Sequence, residues 1–133
     1  MIVVLDASAV VAGLVDPHAN GAWAGAIFNS GDHLVAPHLM PVEVANILRQ
    51  ALLNRELTND KASIAHADLL KLPVVLYPYA SFGDRVWELR HNVAPHDAWY
   101  VALAEALGAS LATLDRKLTR ASGPRCTFLV PDS

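Results

Sequence analysis

The chain predicts an α/β fold, one domain in which five strands of a mostly parallel sheet alternate with helices. Three features carry this expectation. Five short apolar runs recur along the 133 residues. These runs are continuous rather than alternating, as expected of strands covered on both faces. The segments between them place apolar residues at helical spacing.

The first strand is Ile2-Val3-Val4-Leu5, four branched aliphatics that stop abruptly at Asp6 and are followed by Ser8. A strand buried on both faces has no use for a charge unless its end opens into a site. In open α/β sheets ligands collect outside the carboxyl ends of the strands, so Asp6 and Ser8 lie where chemistry is expected. Residues 9–15 read as a short helix stopped by Asp16-Pro17. A second helix over 21–29 carries Trp23, Ile27 and Phe28 and closes at Ser30-Gly31-Asp32. Residues 33–36 form the second strand. Pro41 suits the first turn of a long helix whose apolar stripe is Val44, Ile47, Leu48, Ala51 and Leu52. Thr58 is the expected N-cap of the next helix, with Ile64, Ala65, Ala67 and residues 69–72 as its apolar side and Pro73 as its stop.

Val74-Val75-Leu76-Tyr77 is the third strand, and a helix near 81–90 follows it. Pro95 opens another helix, over 97–107, ended by Gly108 in the place a left-handed C-cap prefers. Residues 109–114 make the fourth strand, 115–121 a short helix and 126–130 the fifth strand.

Composition narrows the class. Hydrophobic residues make up 53% of the chain and charged residues 17%. No apolar run approaches the ~20 residues that span a bilayer. The expectation is a soluble, core-rich domain with no membrane partner. No basic segment precedes an apolar stretch at the N-terminus, which predicts no signal peptide and a cytoplasmic location. Cys126 is the only cysteine; it reads as a core thiol with no internal disulfide. Ten Lys+Arg against thirteen Asp+Glu give a net charge of −3, which excludes nucleic-acid binding by overall charge. Local basic clusters remain: Arg116, Lys117, Arg120 and Arg125 fall close together, and Arg49 and Arg55 share a helix. Their ordinary reading is a solvated face.

Four acids stand at or near predicted helix starts. Asp6 follows the first strand and Asp115 the fourth; Glu43 and Asp97 lie in first turns opened by Pro41 and Pro95. Each has an ordinary explanation as a cap or a partner of the helix dipole. Asp6 fits that explanation least, because a capping box wants Glu or Gln three residues on and finds Ala9. If all four face one cleft at the carboxyl edge of the sheet, their charges repel unless protons or cations neutralise them. Oxygen ligands suit Mg²⁺ and Mn²⁺, which bind through a few carboxylates plus substrate phosphates. A water activated by such a metal attacks phosphorus, and Ser8 and Thr113 are placed to orient a water or a carboxylate. Two pairs of histidines, His33/His38 and His91/His96, are five residues apart, which is not the spacing of a helical zinc pair. His96 alone adjoins the proposed site. Trp99 and Tyr100 read as packing residues, with stacking on RNA bases the other option.

The opening V-V-L-D-A-S-A, the P-V-E-V-A-N-I-L start at Pro41, the run H-D-A-W-Y-V-A-L-A-E from His96 and L-A-T-L-D-R-K-L from Leu111 together resemble the PIN-domain ribonucleases. The VapC-type toxins of toxin–antitoxin pairs are the nearest of these, and the resemblance spans essentially the whole chain, 1–133. It implies a three-layer α/β/α domain and an Mg²⁺- or Mn²⁺-dependent endoribonuclease. It carries the metal and catalytic positions onto Asp6, Glu43, Asp97 and Asp115, with Ser8 and Thr113 as polar support. It also implies a homodimer and a cognate VapB-type antitoxin. His96 departs from the family's pattern, in which an aromatic residue is commoner at this position; as a neighbour of the proposed site it is, with Arg116, a candidate substrate contact.

Two other classes stay open on the residues alone. One is an RNA- or protein-binding module whose acids are only caps. The other is a phospho-aspartate phosphatase or receiver domain that uses Asp6 as nucleophile, although such a phosphatase wants a second Asp where this chain has Ser8.

Overall fold

The computed structural model describes residues 1–132. Its elements run β1 (Ile2–Leu5), α1 (Ala7–Val15), α2 (Ala19–Phe28), β2 (His33–Pro37), α3 (Met40–Leu53), α4 (Asn59–Lys71), β3 (Val74–Tyr77), α5 (Gly83–Glu88), α6 (Pro95–Leu107), β4 (Ser110–Ala112), α7 (Arg116–Arg120) and β5 (Thr127–Leu129). The five apolar runs are the five strands. Every pairing between them is parallel, in the order β3-β2-β1-β4-β5.

This order positions the site. From β1 the chain steps outward to β2 and β3, then crosses back to β4 and β5 on the other side of β1. The direction therefore reverses between β1 and β4, and a crevice opens at the carboxyl ends of strands where that happens. Val3, Val4 and Leu5 pair with Ser110, Leu111 and Ala112, and the Asp6 amide continues the ladder to the Ala112 carbonyl at 3.0 Å. Asp6 and Thr113 are thus the first residues past the two central strands. The receiver-type sheet order, 2-1-3-4-5, is not the one found.

Helices α1, α3 and α4 pack together on one face, while α6, braced by α5, lies across β1, β2 and β4 on the other. β1 is covered from both sides: Val3, Val4 and Leu5 are at most 1% exposed. Helix α6 buries Ala98 and five consecutive residues from Tyr100 to Ala104, so it is a core helix rather than an amphipathic one. Gly108 ends it at φ 60°, ψ 35°, a left-handed conformation that a Cβ would strain.

Some expectations need correction. β3 was expected to be covered on both faces, yet Val75 is 58% exposed. The cause is its place at the sheet edge, next to β2 alone. The stripe predicted for α3 is narrower than expected: Met40, Val44 and Leu48 are buried while Ile47 faces outward. On α4 the buried residues are Ala62, Ala65 and Leu69, and Ile64 and Leu70 are exposed. The N-cap at Thr58 is as expected, its hydroxyl accepting from the Lys61 amide at 3.2 Å. Cys126 is half-buried rather than in the core, and burial pushes its thiol up to about 11. Among the described residues, no helix is long and apolar enough to cross a membrane.

Candidate metal centre

The crevice between β1 and β4 gathers Asp6, Ser8 and Thr113 into direct contact. Asp6 is 8% exposed. One of its oxygens, Oδ2, accepts from the Thr113 hydroxyl at 2.6 Å and from the Ser8 hydroxyl at 2.9 Å. Both hydroxyls are themselves fixed by backbone donors. Ser8 Oγ accepts from the Leu114 amide and Thr113 Oγ1 from the Asp115 amide, each at 3.0 Å. These bonds orient the hydroxyl protons toward the carboxylate, so the segment after β4 builds the support for the acid after β1. Helix α1 starts at Ala7, one residue ahead of Ser8. Ser8 therefore sits in a first helical turn, two residues past Asp6, where the hydroxyl can reach it.

The capping explanation separates the four acids. Asp115 does cap: its Oδ1 accepts from the amides of Lys117 and Leu118 at 3.0 and 3.2 Å. Asp6 occupies the N-cap position of α1 but makes no side-chain cap bond. Glu43 lies in the first turn of α3, and its Oε1 instead accepts from the Tyr100 hydroxyl at 2.5 Å. Asp97 lies in the first turn of α6, and its one ion-pair contact among the described residues is with His96, whose Nε2 is 3.5 Å from its Oδ2.

The charges of the acids act on one another. Burial holds the carboxyl of Asp6 above the ordinary range, outweighing the bonds from Thr113, Ser8 and the Ala7 amide, and the charge of Asp115 adds to the rise. Glu43 is raised by burial and then by Asp6 and Asp97, against the opposing effects of Tyr100 and His96. Asp97 is likewise raised by burial, with Asp6 and Asp115 adding to it and His96 opposing. No Lys or Arg forms an ion pair with any of the four among the described residues. With His96 the one basic side chain beside them among the described residues, they amount to a concentration of negative charge, the environment that an oxygen-seeking divalent cation neutralises. As the side chains stand, no three His, Cys, Asp or Glu among the described residues enclose a metal position. Asp6 and the Asp115 backbone are joined through the Thr113 hydroxyl, whereas Glu43 and Asp97 are linked to the others by charge.

The candidate substrate contacts divide. His96 is exposed beside Asp97. Arg116 is also exposed, but its guanidinium donates to the Pro131 carbonyl, which holds it toward the C-terminal segment. Tyr100 is fully buried and cannot stack on a base. Trp99 is half-buried, edge-to-face with Tyr79 at 5.2 Å.

The link from Tyr100 to Glu43 was missed in the sequence, although a signal existed. A tyrosine three residues after Asp97 shares a helix face with it, and a buried hydroxyl requires a polar partner. Also unforeseen was a clamp away from the crevice. Arg85 donates to Glu105 at 2.7 and 3.2 Å, and the Arg125 amide donates to the same carboxylate at 2.7 Å.

Comparison with known proteins places the chain. The PIN domain family matches residues 3–124. Ribonuclease VapC1 of Mycobacterium tuberculosis is 39% identical over 125 residues, covering 92% of each chain. Ribonuclease VapC9 of the same organism is 34% identical over 128 residues, covering 96% of this chain and 97% of its own. Among solved structures, VapBC2 of Rickettsia felis, crystallised with a DNA fragment from its promoter, superposes with a TM-score of 0.70 at 15% identity. That match covers 99% of this chain and 100% of the other, and it bears on the fold alone. On the family match and on relatives that align end to end, the chain belongs to the PIN domain family, among the VapC ribonucleases.

Proposed function

We propose that the protein is an endoribonuclease, the toxin of a toxin–antitoxin pair, that cleaves RNA phosphodiester bonds with a divalent cation, Mg²⁺ or Mn²⁺, held by Asp6, Glu43, Asp97 and Asp115. The observation that carries this reading is the mutual electrostatic influence of Asp6, Glu43, Asp97 and Asp115. Asp6, Glu43 and Asp97 are raised in pKa by burial first and by neighbouring acids second, and no Lys or Arg among the described residues pairs with them. A cap or a structural ion pair would be stabilised in its charged form, and only Asp115 has the bonds of a cap.

When bound, the cation supplies Lewis acidity for hydrolysis of a phosphodiester. The protein's own residues supply the rest. Ser8 and Thr113 keep one oxygen of Asp6 engaged and its side chain in one orientation. The cap bonds of Asp115 engage Oδ1 and leave Oδ2 without a donor among the described residues. Asp97, in the first turn of α6, has no side-chain hydrogen bond among the described residues and is the acid best able to adjust to substrate. His96, exposed beside it, is placed to meet a phosphate.

Two partners complete the proposal. A cognate VapB-type antitoxin is expected from the VapC relatives, and a cytoplasmic setting from an RNA substrate. A second copy of the chain is the proposed cover for the β3 edge, where Val75 and Leu76 of the strand and the neighbouring Leu70 are exposed. An apolar patch of this kind marks an interaction surface.

The test is incubation of the purified protein with tRNA and rRNA. Cleavage is expected with Mg²⁺ or Mn²⁺ and is expected to vanish in EDTA and in Asp97→Asn, while the circular dichroism of that variant is unchanged. Full activity in EDTA or in Asp97→Asn would refute the proposal.

A further inference from the structure

We infer that Tyr100 is a positioning residue for Glu43, doing for that acid what Ser8 and Thr113 do for Asp6. The inference rests on the metal-site reading above and adds a residue to it. Tyr100 is 0% exposed, and its hydroxyl donates to Glu43 Oε1 at 2.5 Å. This is the only hydrogen bond to the Glu43 side chain among the described residues.

The need for such a bond follows from where each acid stands. Asp6 is short and held by two hydroxyls, and Asp115 is short and held by two amides. Asp97 rises from the first turn of α6. Glu43 has the longest side chain of the four and reaches in from α3, in the layer on the other face of the sheet from α6. A free glutamate there would spread over many rotamers, and its carboxylate would seldom sit with the other three. The phenol removes that freedom at one oxygen and leaves Oε2 without a donor among the described residues. Its own position is fixed by burial in the core helix, one turn beyond Asp97. Helix α6 thereby sets two of the four acids, one through its own side chain and one through Tyr100. Packing alone does not require the hydroxyl, since phenylalanine would fill the same space.

Mn²⁺ binding, followed by titration calorimetry and electron paramagnetic resonance, separates positioning from packing. Four proteins suffice: the unaltered chain, Tyr100→Phe, Glu43→Ala and the double variant, each checked for fold by circular dichroism. Tyr100→Phe is expected to weaken Mn²⁺ binding by about tenfold, the usual effect of losing a group that orients a ligand. Added to Glu43→Ala, the same change is expected to leave Mn²⁺ affinity within about twofold, because no carboxylate remains to be oriented. Unaltered Mn²⁺ affinity in Tyr100→Phe would overturn the inference while sparing the metal site. So would an equal tenfold loss in the Glu43→Ala background. Failure of the unaltered protein to bind Mn²⁺ would overturn the metal site, and this inference with it.

Discussion

Helix α6 carries an acid near each end, and the two are treated in opposite ways. Near its C-terminus, Glu105 receives the Arg85 guanidinium and the Arg125 amide. Burial alone would raise its carboxyl, but those donors outweigh burial and lower it. Near its N-terminus, Asp97 has no Lys or Arg partner among the described residues and is raised by burial and by Asp6 and Asp115. The helix dipole would favour the reverse, stabilising a negative charge at the N-terminus and opposing one at the C-terminus by about 0.3–1 kcal/mol. Local partners therefore overrule the dipole at both ends. A carboxylate that has been given its counterion is finished as structure, whereas one left short of a counterion retains free energy that a ligand can release.

Three changes can break or sharpen that contrast. The largest effect is expected at Thr113, which is fully buried and joins Asp6 to the Asp115 amide. Thr113→Val keeps the shape and loses both bonds, so divalent-ion affinity should fall by about 10–100-fold. RNA cleavage at limiting Mn²⁺ should fall with it and recover at high Mn²⁺. A loss of cleavage that Mn²⁺ cannot restore would show that Thr113 does more than orient Asp6. Next in size is Glu105→Gln, which breaks the clamp. It should lower stability by about 1–2 kcal/mol, typical of a lost charge-assisted hydrogen bond, and leave cleavage per folded molecule unchanged. Its pH signature is fixed by the lowered carboxyl. The stabilisation is complete above the ordinary value of 4.5 and is lost as pH falls through the lower folded value. A variant that melts like the unaltered protein, or that loses activity, would erase the distinction between the two ends.

The sequence made the sheet legible because its strands are continuous apolar runs bounded by Pro, Gly and Asp. It made Asp6 legible because a charge ended such a run. Partial exposure was harder to read. An edge strand such as β3 can be as apolar in sequence as a central one, so Val75 and Leu76 look like core. The same holds for Ile47, Ile64 and Leu70 on α3 and α4. The candidate acids were legible as helix-start residues, but which of them caps was not. Glu43 and Asp97 lie inside the first turns of their helices rather than at the N-cap, and of the two acids that are N-caps only Asp115 turns its side chain to its own helix. Tyr100 was obscured by its neighbours: in an apolar helix a tyrosine reads as packing until its hydroxyl is given a partner 57 residues away. Arg85 and Glu105, 20 residues apart, sit on helices of uncertain relative register, which no local pattern reveals.

Asp6→Asn should produce the smallest change and the most diagnostic, because its sign opposes the usual one. Asp6, Glu43 and Asp97 all bind protons more tightly in the folded chain than at their ordinary values of 3.8, 4.5 and 3.8. Without metal, stability therefore falls as pH rises from those values through the folded ones, and at neutral pH the full repulsion is felt. Asparagine can still accept from Ser8 and Thr113 through its carbonyl while removing one charge from the cluster. In EDTA at pH 7 the variant should melt about 3–6 °C higher than the unaltered protein, the shift that about 1 kcal/mol produces in a domain of this size. Saturating Mn²⁺ should reverse the ranking, because only the unaltered protein gains the binding free energy, about 2.7 kcal/mol at a hundred times Kd. If Asp6→Asn melts lower in EDTA, Asp6 is a structural acid like Glu105, and the contrast between the two ends of α6 does not extend into the crevice.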